Sequence, residues 1–183
     1  MDVTGRLVRL RPAEPEDAPA IAALLADPRV VANLAQWSHA PYPLEQAREW
    51  VSATPPGELH WAIECIEDGA FIGVTGFHGI DHRNRNCSWG IWIGPPERWG
   101  HGFGTEACML SVDYAFRYLA MEKVCLYVYQ GNDRARRSYE KAGFVSEGVQ
   151  RRHYWRDGVL VDVELMAVFH DNPLYANRVA PNP

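Results

Sequence analysis

The sequence lacks the features that mark several protein classes. No apolar run approaches the roughly 18 residues of a membrane span, and the N-terminus has no charged-then-apolar order of a signal peptide. The expectation is a soluble, cytoplasmic protein without a membrane partner. Positive charge is not in excess, since 18 Lys and Arg stand against 23 Asp and Glu, a formal net charge of −5. That argues against a broad basic face for sequence-independent nucleic-acid binding. Four cysteines, Cys65, Cys87, Cys108 and Cys125, stand about 20 residues apart and form no Cys-x-x-Cys pair. Neither a zinc site nor a disulfide framework is favoured, and the expectation is free thiols buried as small apolar groups. The seven histidines show no metal-ligand spacing either, so no metal is indicated. Internal repeats, low-complexity blocks and a dividing linker are also missing.

What is present is the composition of one folded domain. Hydrophobic residues make up 47% of the 183 and charged residues 22%, which excludes wholesale disorder. A chain of this size buries roughly 70% of its unfolded surface, enough for a core without metal or disulfide support. Periodicity predicts a short strand at Arg6–Leu10, then a helix from Pro15 to Asp27-Pro28 carried by Ile21, Ala22, Leu24 and Leu25. A second helix is predicted from Pro43 through Trp50 and Val51. Strands follow at His60–Ile66, Phe71–Ile80 and Cys87–Ile93, the first two joined by the turn Glu67-Asp68-Gly69. A helix from Thr105 to about Ala120 shows Leu110, Val112, Tyr114 and Leu119 as its apolar face. A buried strand, Val124–Tyr129, precedes a short helix from Asp133 to about Ala142. Two strands, Phe144–Trp155 and Val159–Val168, close around Arg156-Asp157-Gly158. This order implies a mixed α/β sheet, with residues from Asp171 onward as a loosely held tail.

The most informative stretch is Trp99-Gly100-His101-Gly102-Phe103-Gly104-Thr105-Glu106-Ala107, three alternating glycines between a strand and a helix. Glycine admits positive φ and close approach of a ligand. The helix behind it offers unpaired N–H groups and about half a positive charge at its start. Together these form a cradle for phosphate or pyrophosphate. The spacing is neither that of a Walker loop nor that of the Rossmann turn. A flexible connection that merely caps a helix is the alternative. Glu106 is expected to face away from any anion.

A second constellation runs from Asn132 to Phe144. Asn132 is placed to cap a helix, and Tyr139, seven residues on, falls within about 20° of the same face. Gly143 is a helix stop and Phe144 turns the chain into the next strand. Arg134, Arg136, Arg137 and Lys141 outnumber Asp133 and Glu140, a local basic patch in an acidic chain. Ala135, Tyr139 and Ala142 read equally as a core stripe, and the charges as a solvated face.

In this order and at this separation, the two motifs resemble those of the GNAT superfamily of acetyl-CoA-dependent N-acetyltransferases, and the likeness runs from Arg6 to about Val168. It is closest to the branch of ribosomal-protein N-terminal and spermidine acetyltransferases. Trp99–Ala107 is similar to its pyrophosphate loop, and Asn132–Phe144 to its Asn-x-x-Ala-x-x-x-Tyr-x-Lys-x-Gly-Phe signature. Glu147-Gly148, Arg151, Gly158 and Asp162 match the closing hairpin. The resemblance implies a mixed, mostly antiparallel central sheet flanked by helices. Residues 1–170 would form a single N-acetyltransferase domain and 171–183 the tail. It further implies that Trp92 and Ile93, on a strand splayed from its neighbour, lie beside the pantetheine arm of acetyl-CoA. Gly100, His101, Gly102, Phe103, Gly104 and Thr105 would hold the pyrophosphate. Asn132 would bond near the pantetheine, and Tyr139 would protonate the departing thiolate. A tyrosine near pKa 10 stays protonated at pH 7, whereas a thiol near 8.5 leaves as an anion.

Two positions depart from the family pattern: Trp99 stands where the loop usually begins with Gln or Arg, and Ser88 stands where many relatives place a glutamate base. An α-amine of pKa about 8 needs little help at pH 7, but an alkyl amine near 10.4 favours a dedicated acceptor. His78, Asp81, His82 and His153 are candidates. The acceptor is expected to be a small amine or a peptide N-terminus. Asp81, Glu64, Glu147 and Asp162 are expected near the cleft, where they would draw cationic amines. Trp37, Trp50, Trp61, Trp89, Trp92, Tyr154 and Trp155 would instead line an apolar pocket. The alternative function is a non-catalytic acyl-CoA-binding or sensory module. Monomer and homodimer are both open.

Overall fold

The computed structural model describes residues 2–34, 40–156 and 158–176. Trp37 and Asp157 lie outside them, as do residues 177–183. Strand segments that bury one face line up into one eight-stranded sheet. In chain order the strands are β1 (Val3–Thr4), β2 (Val8–Arg11), β3 (Leu59–Cys65), β4 (Phe71–Asp81), β5 (Asn86–Ile93), β6 (Lys123–Tyr129), β7 (Val145–Arg156) and β8 (Val159–Phe169). The spatial order is β1-β2-β3-β4-β5-β6-β8-β7. Every neighbouring pair is antiparallel except β5–β6, which is parallel. The fold is thus mixed α/β, as the order of elements implied, with the mostly antiparallel sheet that the resemblance implied.

Helices cover both faces. On one lie α1 (Ala18–Leu25), the short α2 (Pro28–Val31) and α3 (Leu44–Ser52). Ala18, Ile21, Leu25 and Ala47 form a cluster there with Trp50, Phe71 and Trp92. On the other lie α4 (Phe103–Arg117) and α5 (Asp133–Lys141), over the larger core of Trp61, Ile63, Phe77, Trp89 and Val124. The buried side of α4 is not the expected Leu110–Tyr114 stripe. It consists of Phe103, Ala107, Cys108, Ser111, Val112 and Ala115. Small residues let this helix sit close to a sheet already filled by tryptophan and phenylalanine, while Leu110 and Tyr114 flank the contact. The helix expected to end at Asp27-Pro28 is broken there, because Asp27 caps a new turn by accepting from the Arg29 N–H at 2.8 Å.

Residues 171–176 are not a loose tail. They include α6 (Pro173–Ala176), whose Tyr175 is 5% exposed and donates its hydroxyl proton to the Ala142 carbonyl at 2.8 Å. All four cysteines are free, with Cys65, Cys87 and Cys108 buried. Burial pushes the Cys87 thiol up to about 12. Among the described residues no helix is long and apolar enough to cross a membrane.

Two polar anchors hold elements that matter below. Glu106, on the first turn of α4, accepts from the backbone N–H groups of Arg6, Leu7 and Val8 at 2.9, 2.6 and 2.8 Å. A Cβ at Gly5 would meet the Glu106 carboxylate oxygen at 2.6 Å, so glycine is what admits that carboxylate. At the sheet edge, Arg11 donates two bonds of 2.8 Å to Asp17 and a third of 2.8 Å to Glu64, tying the entrance of α1 to β2 and β3. Burial pushes the Asp17 carboxyl up, but the Arg11 bonds outweigh it and leave it below its ordinary range. A depressed carboxyl contributes stability above its unfolded pKa and loses it as pH falls through the folded one. Chemical denaturation between pH 7 and pH 3 should therefore show an acid-side loss of stability that is reduced in Asp17→Asn. Glu106→Gln should lower unfolding free energy by about 2 kcal/mol at pH 7, since charge-assisted bonds to three N–H groups are weakened together.

Candidate active site

The site begins with an interruption in the sheet. β5 and β6 are paired only at Asn86↔Lys123, Cys87↔Val124 and Ser88↔Cys125. Beyond that point β6 follows β8 as far as Tyr129↔Val163, and β5 follows β4 as far as Ile93↔Gly73. The two strands separate, and a cavity of about 820 Å³ occupies the gap. Trp89–Ile93 line one side and Leu126–Tyr129 the other.

The glycine stretch closes one end. After a tight turn at Pro96–Arg98, the Trp99 indole N–H donates to the Ile93 carbonyl at 2.5 Å, folding the loop back onto the end of β5. Gly100 and Gly102 have φ of 83° and 92°, which L side chains rarely adopt. Gly102 is the N-cap of α4, and no side chain caps that helix. Helix geometry then leaves the Phe103, Gly104 and Thr105 N–H groups without intrahelical acceptors, and all three residues line the cavity. The Arg134 guanidinium lies 3.8 Å from the centre of the Trp99 ring. Burial lowers its pKa from the usual arginine value, yet a guanidinium remains charged at neutral pH. Thr105 and Ser138 share a hydroxyl hydrogen bond of 2.7 Å, which joins the first turn of α4 to the second half of α5. Glu106 does face away, held by the β1–β2 connection.

Across the gap, the Asn132 side chain caps α5 by accepting from the Ala135 N–H at 3.4 Å. Tyr139 stands edge-on to Trp89, ring centres 5.7 Å apart. Burial, with Cys108 close by, pushes its phenol above the ordinary range. It is a protonated donor at neutral pH. Of the basic residues on α5, Arg134 and Lys141 line the cavity, while Arg136 turns away to Glu140 and Glu164.

The face of β5 opposite Trp89 carries a second polar group. Glu58 Oε2 lies 3.0 Å from His60 Nε2 and 3.4 Å from His78 Nδ1. His60 is stacked on Trp50 at 5.3 Å, and burial pulls its pKa below the ordinary histidine value. All four residues line the same cavity. Ser88 lies directly across the strand pair from His78 but does not line it.

Trp92, Ile93, Gly100, Gly102, Phe103, Gly104, Thr105, Asn132 and Tyr139 are thus brought to one cavity; His101 is not among its lining. The loop end fits an anion, because it offers uncapped amides and Arg134 with no carboxylate among the lining residues there. The acids expected near the cleft are elsewhere. Glu64 pairs with Arg9 and Arg11, Glu147 with Lys123, and Asp81 holds its own turn at Arg83 and Asn84. Asp162 accepts from the Arg152 N–H and borders only a smaller, separate cavity. Among the described aromatics named above, Trp50, Trp89 and Trp92 line the main cavity, Trp61 is core, and Trp155 is 64% exposed. Of the base candidates only His78 reaches it. Glu58 and His60 had no local signal, since antiparallel register rather than spacing brings them beside His78.

The chain matches the acetyltransferase (GNAT) domain over residues 7–145. It is 30% identical over 110 residues to the uncharacterized N-acetyltransferase YoaA of Bacillus subtilis, covering 60% of this chain and 62% of that protein. It is 33% identical over 98 residues to the putative ribosomal N-acetyltransferase YdaF of the same organism, covering 54% of this chain and 53% of the relative. These matches span little more than half of the curated relatives' lengths. The fold is similar to that of spermidine N-acetyltransferase from Vibrio cholerae in complex with CoA and spermine, with a TM-score of 0.81 and 26% identity over 93% of this chain and 99% of that one. Domain match, sheet architecture and shared fold agree, and the chain belongs to the GNAT acetyltransferase family.

Proposed function

We propose that the protein transfers the acetyl group of acetyl-CoA to a primary amine by direct attack within a ternary complex. The observation that carries this reading is the single cavity joining the β5–β6 gap, the uncapped start of α4 and the Tyr139 phenol. Acetyl-CoA supplies an acyl carbon with a thiolate leaving group. The amides of Gly102–Thr105 and Gly100, with Arg134 beside them, would hold its pyrophosphate through charge-assisted bonds. Trp92 and Ile93 lie at the gap beyond the last β5–β6 pair, where an amide-bearing arm would run beside them although the Ile93 carbonyl already accepts from the Trp99 indole, and Asn132 lines the same cavity. Tyr139 would give its proton to the sulfur as the carbon–sulfur bond breaks. His101 has no part in this arrangement. The relatives' names, ribosomal and spermidine acetyltransferase, support an amine acceptor without choosing one. The free, buried thiols fit a reducing compartment such as the cytoplasm.

Isothermal titration should show acetyl-CoA binding at tens of micromolar or tighter. Absence of binding would end the reading. Gly102→Ala forces an L residue to φ of 92° and brings its Cβ 3.3 Å from Leu7, so donor affinity should fall about 10-fold. Tyr139→Phe should lower kcat about 10²-fold while the dissociation constant for CoA stays within about twofold of wild type. A variant that turns over normally would remove Tyr139 from the chemistry, and a wild type that binds acetyl-CoA but turns over no amine would favour the binding module.

A further inference from the structure

The two halves of the cavity differ in chemistry, and the sheet separates them. Side chains on adjacent strand residues point to opposite faces, so Trp89, which meets Tyr139, and Gly90 face opposite ways. The register puts His60 across from Gly76, Gly76 across from Gly90, and His78 across from Ser88. His60, Gly76, His78 and Gly90 therefore share the face covered by α1 and α3. Gly76 and Gly90 leave a bare strip of backbone beside the two imidazoles. Any Cβ at Gly76 would collide with the His60 ring, and one at Gly90 would lie 3.7 Å from His78 Nε2.

Proton positions follow from the carboxylate. Glu58 only accepts, so a neutral imidazole facing it carries its proton on the nitrogen turned towards it. His78 would then carry its proton on Nδ1, 3.4 Å from Glu58 Oε2, which would leave Nε2, beside Gly90, to accept one. His60 is held neutral by burial and fills the remaining side of Glu58. Among the described residues, Glu58 and His60 are the titratable groups in contact with His78, Ser88 and Gly90 adjoin it from β5, and Trp50 of α3 stacks on His60. Around this cluster the wall is mostly apolar, with Ile21, Leu25, Tyr42, Trp50 and Trp92, and Arg29, Asn33 and Gln46 as its polar members. Glu58 is the one carboxylate among the described lining residues. A polyamine has several ammonium groups to pair, and a single carboxylate shared by two histidines does not match it.

From this we infer that the α1–α3 side of the cavity seats the α-amine of a compound with an apolar side chain, and that His78, oriented by Glu58, is the base that takes its proton. The inference rests on the acetyl transfer proposed above and names its acceptor side. An α-amine near pKa 8 is about 250-fold richer in neutral form than an alkyl ammonium near 10.4, which suits an imidazole acceptor. One ammonium proton passes to His78 Nε2 and on to solvent. The nitrogen then adds to the thioester carbonyl, and the carbon–nitrogen bond forms as the carbon–sulfur bond breaks. Tyr139 protonates the sulfur and is restored by the second proton that nitrogen sheds on becoming an amide. Base and acid thus act from opposite faces of β5.

The test measures thiol release from acetyl-CoA with phenylalanine amide, a short peptide beginning with phenylalanine, and spermine. Either phenylalanine compound should exceed spermine at least 10-fold in kcat/KM, and the better of the two identifies a free amine or a peptide as the source. His78→Gln should lower kcat about 10²-fold on the preferred amine and abolish the histidine limb of the kcat/KM pH profile. Glu58→Gln should shift that limb, and CoA affinity should be unchanged in both variants. A preference for spermine, no release from either phenylalanine compound, or a pH profile unaltered in His78→Gln would overturn the inference. So would loss of turnover on EDTA treatment that zinc restores, which would make the cluster a metal site. Failure of acetyl-CoA to bind at all would instead overturn the transfer reaction itself.

Discussion

The parting of β5 from β6 is the constraint on which the molecule depends. A parallel pair joined at only three register positions, Asn86↔Lys123 to Ser88↔Cys125, leaves the main chain beyond it unpartnered on one side. Such backbone is costly to bury without hydrogen bonds, and a closed sheet would satisfy it at once. The gap persists because each strand is held from its other side, β5 by β4 and β6 by β8. Trp89, Tyr139 and Phe144 then wedge the opening from the α5 side. An opening of this kind meets its own hydrogen-bonding need by taking in an extended, amide-bearing ligand.

That same opening sorts charge. The start of α4 contributes a positive potential at one end of the cavity, and Arg134 adds to it while stacked on Trp99. Glu106, the acid nearest that helix start in sequence, is removed from the field by three backbone N–H groups of the β1–β2 connection. The net charge of −5 is therefore no obstacle to binding an anion, because the acids are paired or turned outward at the place where it matters. At the other end Glu58 is the one carboxylate among the described lining residues, set beside His60, whose pKa burial lowers. The field runs from the glycine loop toward the carboxylate, and on the proposed reading it would orient an anionic donor and a cationic acceptor in opposite senses.

How much of this was legible in the sequence follows from how local each part is. The glycine loop and the Asn132–Tyr139 spacing are contiguous, so helix geometry and positive φ mark them, although a core stripe and a solvated face fitted Asn132–Phe144 equally and the resemblance decided between the readings. The buried face of α4 was misread because Ala107, Cys108, Ser111 and Ala115 have little hydrophobicity to display; their smallness matters only once the tryptophans of the sheet are in place. The acceptor side was less legible still. His60 precedes Trp61 on a strand that reads as half apolar, and Glu58 sits just outside it in a stretch that reads as loop. Their meeting with His78 is a property of strand register, which shifts every partner if it slips by one residue. Glu64, Glu147 and Asp162 were expected in the cleft because they are acidic; Arg11, Lys123 and the Arg152 N–H had the stronger claim on them.

Local and long-range construction divide along the line between donor and acceptor. The donor half is specified by short segments that carry their own geometry, so it survives substitution elsewhere in the chain. The acceptor half is assembled from α1, α3, β3 and β4, and α1 is tied to the sheet by Arg11 bridging Asp17 and Glu64. On the proposed reading, a protein built this way would change its acceptor by repacking one face of one sheet, while the opposite face keeps Tyr139 and the edge of Trp89 in place.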